Sequence, residues 1–170
     1  MALIFYNGLP LFVGGEIAMG AACCCGGTSV CACCPHAVTW CSNGCKMDVT
    51  ISGAIAGTGT MSPRPFACPT FDDNGITLTA NCSGFSLTMY IECCGGVNCF
   101  CATFAWVNPL APNDCAIVPD TSRGAQSDGW FSFKCDPFKL VYHLKTSGAN
   151  CSCGDGQAIT VTIEEKPTCT

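Results

Sequence analysis

The chain has 170 residues, 19 of them cysteine, with only 11% charged and a net charge of −5. This length suits one domain of ordinary size, and a cysteine share above the roughly 8–10% that marks a disulfide scaffold predicts an oxidising surrounding: extracellular, periplasmic or on a virus particle. The acidic balance and the lack of a Lys/Arg cluster exclude a nucleic-acid partner, and the longest apolar runs, "ALIFY" and "FCATFAWV", fall far short of the roughly 20 residues of a membrane-spanning helix, so no membrane partner is expected.

Residues 1–22 read as strand and turn pieces: "IFY", Asn7-Gly8, "LPLFV", Gly14-Gly15 and "EIAM". Asn-Gly and Gly-Gly between apolar runs signal hairpins. Residues 1–45 carry one formal charge, Glu16, and a long uncharged surface is normally covered. The hairpin therefore either packs on its own domain or forms an arm that docks on a neighbouring subunit through Ile4, Phe5, Tyr6, Leu11, Phe12 and Val13. No Lys or Arg precedes Lys46, and Asn7, Gly8 and Pro10 interrupt the apolar region. The segment thus fails the pattern of a signal peptide. The expectation is a chain assembled without a cleaved signal and oxidised after release.

Residues 23–45 hold eight cysteines among Gly, Ser and Pro. Neither a period of 2 nor one of 3.6 is visible, which predicts an irregular, cysteine-rich hub. From 46 to 170 the texture is β-rich. "KMDVTISGAIAG" is followed by "NGITLTANCSGFSLTMYIE", with Ile76, Leu78 and Ala80 on one face and then Leu87, Met89 and Ile91. "CFCATFAWV", "GWFSFKC", "FKLVYHLKT" and "AITVTIEE" come next, each bounded by turn residues. Six or seven such strands predict an all-β fold: an antiparallel β-sandwich, jelly-roll or Ig-like, with an N-terminal hairpin arm and a disulfide-rich loop region. "DVTISG" and "ITVTIEE" look alike and read as two edge-like strands. The stretch 108–128, with three prolines, reads as a long excursion from the sandwich. "FDDNG" at 71–75 reads as turn chemistry ahead of a calcium half-site.

Adjacent cysteines seldom bond to each other, because the small ring strains the peptide between them. Runs such as Cys23, Cys24 and Cys25, Cys33/Cys34 and Cys93/Cys94 must therefore seek separate partners. The disulfide candidates are these seven with Cys31, Cys41, Cys45, Cys68, Cys82, Cys99, Cys101, Cys115, Cys135, Cys151 and Cys153. The total is odd, and Cys169 is the candidate for a bond to another subunit. No cofactor is expected on this reading. The alternative is zinc, held by Cys31, Cys34, Cys41 and Cys45, with His36 and the neighbouring thiols as further ligands. Redox catalysis is the weakest option, since Cys31-Ala-Cys33-Cys34 lacks a strand-then-helix context.

Other chemistry is sparse. His143 lies in the strand pattern "LVYHLK" and reads as a strand histidine rather than a base. No G-x-S-x-G, H-E-x-x-H or P-loop occurs, so no enzyme is expected. Asn81-Cys-Ser and Asn150-Cys-Ser match the glycosylation sequon. Trp40, Trp106 and Trp130 would contact sugars in an adhesive tip, with core packing as the default.

The pattern "NGLPLFVGGEIAMGAACCC", then "CACCP", then a β body opening "DVTISG" and closing "CDPFKLVYHLKTSGANCSCGDGQAITVTIEE" resembles a group of small cysteine-rich β proteins encoded among phage-like structural genes of environmental bacteria. The resemblance spans most of the chain and implies context without carrying over any catalytic residue. The function expected is a non-enzymatic structural subunit of a phage-like virion or other extracellular assembly: a tail, fibre or capsid-surface component, homo-oligomeric or joined to other subunits. The alternatives are a zinc-binding cysteine-rich module and an adhesin or receptor-binding tip that contacts its ligand through loop 108–128.

Overall fold

The computed structural model describes residues 3–6, 9–12, 16–19, 39–64, 68, 70–82, 84–94, 99–107, 115–124, 129–135 and 137–166. These form β1 (Leu3–Tyr6), β2 (Leu9–Phe12), β3 (Glu16–Met19), β4 (Met47–Gly53), β5 (Ile55–Pro63), β6 (Phe71–Asn81), β7 (Ser86–Cys94), β8 (Cys99–Val107), β9 (Ala116–Pro119), β10 (Phe131–Cys135), β11 (Phe138–Ser147) and β12 (Ala158–Glu165). Helix is confined to one turn at 39–42 and a 3-10 turn at Thr121–Arg123 among the described residues.

The structure is mostly β-strand, and the described strand pairs are all antiparallel. β1 and β2 make a two-stranded ladder of their own, with Tyr6 opposite Leu9. The other ten strands run in the order β10-β11-β12-β4-β5-β6-β7-β8-β3, with β9 also on β11. β10 and β9 share one edge of β11: β10 covers Phe138–Tyr142 and β9 covers Leu144–Ser147. His143 sits at the junction, donating its backbone N–H to Trp130 and accepting from Asp120 through its carbonyl, at 2.7 and 2.9 Å. At the far end of the order, β3 pairs with β8, and the sheet curls until β3 lies beside β9.

Strict alternation builds the core. Phe138, Leu140, Tyr142, Leu144 and Thr146 of β11 are buried, as are Ile159, Val161 and Ile163 of β12 and Met47, Val49 and Ile51 of β4. One face of each strand is apolar and the other polar, the pattern of a sheet wet on one side. "DVTISG" and "ITVTIEE" are direct neighbours in the middle of the sheet, with Val49 opposite Ile163, and neither is an edge. They look alike because both meet the same demand, an aliphatic face inward and Thr or Ser outward.

β5 does not stand out in the sequence as a separate strand, because glycines occupy two inward positions between the buried Ile55 and Met61. A Cβ on Gly57 would lie 2.4 Å from the Thr77 carbonyl oxygen, and one on Gly59 would lie 2.6 Å from the Ile76 Cα. The backbone of β6 presses on β5 there, so only glycine fits. Two register shifts follow along this pair. Gly75, at φ +72°, lies beside the second, where a bulge favours the left-handed region.

"FDDNG" accordingly lies inside β6 and is not a turn between strands. Each of its polar side chains makes a hydrogen bond. Asp72 takes a two-pronged bond from Arg64 at 2.8 Å on each oxygen, Asp73 accepts the backbone N–H of Met89 at 2.8 Å, and Asn74 donates to Ser62. Part of the 108–128 excursion is likewise strand, since β9 adds to β11 until Pro119 ends it. Ala80 is exposed, because the end of β6 runs past the core that Ile76 and Leu78 still touch.

Candidate functional site: a stapled loop cluster

The hairpin loop 148–157, between β11 and β12, receives two disulfides. Cys151 bonds Cys115, just ahead of β9, with Cα atoms 4.8 Å apart. Cys153 bonds Cys82, at the end of β6, with Cα atoms 5.1 Å apart. The bonds span 36 and 71 residues, so one short loop locks two distant parts of the sheet. A third bond, Cys41–Cys68, spans 27 residues and ties the helical turn to the segment before β6. Cys45 is disulfide-bonded as well. Bonds of this number and span indicate an oxidising, extracellular environment, and no helix among the described residues is long and apolar enough to cross a membrane.

Local hydrogen bonds shape the loop alongside the disulfides. Thr146 is fully buried. Its Oγ1 donates to the Gly154 carbonyl at 2.7 Å and accepts the Gln157 N–H at 2.9 Å. Its backbone N–H donates to Gln157 and its carbonyl accepts from Gly156, while Asp155 accepts the Gly148 N–H at 3.0 Å. Thr146 was legible in principle, since it continues the inward parity of Phe138, Leu140, Tyr142 and Leu144. A polar residue in an inward register marks a buried hydrogen-bonding post. Thr146→Val keeps the shape and removes the bonds to the Gly154 carbonyl and the Gln157 N–H, which lie part-buried, at a cost of about 1 kcal/mol. Chemical denaturation measures the loss, and a change below about 0.5 kcal/mol, the scatter of neutral surface substitutions, contradicts this role.

On the outer face, Asp120 accepts bonds from Ser122 and from Arg123 Nε and lies 3.6 Å from Lys145 Nζ. The Ser122 bond, aided by Arg123 and Lys145, holds its carboxyl below the ordinary value of 3.8 against an opposing effect of burial. His143 Nδ1 is 3.3 Å from Thr160 Oγ1. Burial, with the Arg123 charge, pushes its imidazole below the ordinary 6.5, while Asp120 pulls the other way. Both groups bind protons less readily folded than unfolded. Their contributions are therefore complete above 6.5 and 3.8 respectively and are lost as pH falls below each value. In His143→Gln, the first decline, just below pH 6.5, should flatten while the lower one remains. Melting curves across pH test this, and an unchanged first decline contradicts it.

Of the predicted disulfide residues, Cys41, Cys45, Cys68, Cys82, Cys115, Cys151 and Cys153 are placed in bonds. Cys93 and Cys94 end β7, Cys99 and Cys101 lie on β8, and Cys135 ends β10. Cys23, Cys24, Cys25, Cys31, Cys33, Cys34, His36 and Cys169 lie outside the described residues. For the zinc alternative, the sulfurs of Cys41 and Cys45 are tied up in disulfides, and Cys31 and Cys34 are not described. No metal-holding group of His, Cys, Asp or Glu occurs among the described residues. Of the arm residues, Ile4, Phe5 and Tyr6 lie on β1 and Leu11 and Phe12 on β2, while Val13 is outside the described set. Within the 108–128 stretch, 115–124 are described and the rest are not. Trp130 is buried beside Phe131 and Tyr142, with ring centroids 6.3 Å from each, and Trp40 packs on the core, so neither offers an open platform for a sugar. Trp106 lies on β8, opposite Ile17 of β3.

Both sequons place their middle cysteine in a disulfide. Asn81 also spends its amide within the chain. Its Nδ2 donates to the Phe85 carbonyl, and its Oδ1 accepts the Phe85 N–H at 2.9 Å. No protein-family model, no curated protein and no solved structure matches the chain.

Proposed function

We propose that this protein is a non-enzymatic structural subunit of a phage-like virion or other extracellular assembly, working as a homo-oligomer or beside other structural subunits. The observation that carries the reading is the convergence of two long-range disulfides on loop 148–157. Such a framework resists unfolding outside the cell, and Asp72, Asp73, Asn81 and Thr146 spend polar groups on holding strands and loops in place. The N-terminal segment supports assembly, since it carries one formal charge in 45 residues and a stretch so poor in charge promotes association. On this reading the curled sheet works as the two halves of a β-sandwich, jelly-roll or Ig-like, hinged where the β6–β7 ladder narrows to Phe71–Ile91 and Asp72–Tyr90.

Sedimentation of material from the producing cells, prepared without reductant, tests the proposal. The expected result is protein in the particle fraction, in repeated copies, that loosens when a thiol reductant is added. A chain that stays monomeric in the soluble fraction contradicts it.

A further inference from the structure

Beyond Asp72, β6 and β7 part. From Asp73 to Ala80, β6 pairs only with β5, and its other edge has no ladder partner among the described residues. Asp73 and Asn81 cap the two ends of this gap by bonding β7 backbone at Met89 and the turn at Phe85. Between them Asn74, Gly75, Thr77, Thr79 and Ala80 are exposed, and no described strand lies along the edge. Ile76, Leu78 and Leu87 are only partly buried at its rim. No charged residue occurs between Asp73 and Glu92, although open sheet edges ordinarily carry charges that deter pairing.

We infer that the open edge of β6 at Asn74–Ala80 is an acceptor for β1 of a second copy of this chain, which adds to it as an extra strand. The inference rests on the assembly proposed above and names its joint. β1 belongs to a ladder of two strands and leaves its outer edge without a partner in that ladder. Its sequence, "LIFY", is uncharged, as are all residues before Glu16, and its four residues fit within the seven of the gap. Strand addition gains backbone hydrogen bonds on both sides, and the apolar rim supplies a place for alternate side chains. Two uncharged edges meet without the desolvation cost that a charge on either would impose.

The full-length oxidised chain is tested in two forms. One carries a photo-activated benzophenone side chain at Thr77, in oligomers mixed from isotope-labelled and unlabelled copies. The other carries Thr77→Lys with Thr79→Lys, both at exposed positions, checked for folding by circular dichroism. The expected results are an inter-copy cross-link mapping to residues 3–6 and self-association weakened about tenfold by the lysines, or about 1.4 kcal/mol. Oligomers that cross-link elsewhere, including to β6 of the second copy, or that tolerate both lysines, overturn this joint and leave the assembly standing. A chain that never associates overturns both.

Discussion

Replacing Cys115 and Cys151 together by alanine is expected to lower the unfolding free energy by about 4 kcal/mol, the loop-entropy value for a bond spanning 36 residues. The double change avoids leaving a reactive thiol in the buried site that both cysteines occupy. Against the roughly 5–15 kcal/mol of a typical domain this is a large share. Removing Cys82–Cys153, which spans 71 residues, should cost slightly more. The shorter bond closes a loop lying inside the longer one, so the two losses should not add. Denaturant titration followed by tryptophan fluorescence measures each. A loss below about 1 kcal/mol for either pair, under the usual range for a native disulfide, means the loop is held by its hydrogen bonds alone.

The second large effect is expected at Phe71. Its side chain is fully buried, and its backbone stands opposite Pro63 on β5 and Ile91 on β7. It therefore fills the core at the point where the two parts of the sheet still touch. Phe71→Ala removes a ring there and should cost about 3–5 kcal/mol, whereas Phe71→Leu should cost less because most of the volume stays. Thermal and chemical unfolding of the two variants distinguishes them. Equal and small losses mean the junction is not a packing centre.

These two sites show what a linear reading of the chain reveals and what it hides. The strands of β4, β7, β11 and β12 announce themselves, because Val49, Ile51, Leu140, Leu144, Val161 and Ile163 recur at every second position. The pairing of β4 with β12 was invisible, because no local signal links residues more than 100 apart and the likeness of the two strands suggested edges. β5 was hidden by Gly57 and Gly59, whose role is to let another backbone approach and which look in sequence like loop residues. β9 was hidden inside a proline-rich stretch, where four residues on a neighbouring strand are too few to make a periodic pattern. Residues 23–45 stand out as a cysteine hub by density and vicinal runs, neither of which says anything of partners, and of its cysteines only Cys41 and Cys45 are described, both in disulfides. The two bonds on 148–157 carried no such signal, because Cys151 and Cys153 are only two residues apart and face different targets.

The polar posts divide in the same way. Thr146 follows from parity. Asp73 and Asn81 do not, because each satisfies backbone groups left open when two strands diverge, and divergence is a property of the whole sheet. Asp120 and His143 meet because β9 and β10 share one edge of β11, an arrangement that follows from β11 being long enough to hold both.

The central claim is that an oxidised framework fixed on loop 148–157 holds this sheet together, and disulfide mapping tests it most directly. Unreduced native protein is alkylated, digested and analysed by mass spectrometry. The account predicts linked peptides containing Cys82–Cys153, Cys115–Cys151 and Cys41–Cys68, each separating on reduction. Alkylated free thiols at Cys151 and Cys153, or a bond joining those two to each other, would contradict it.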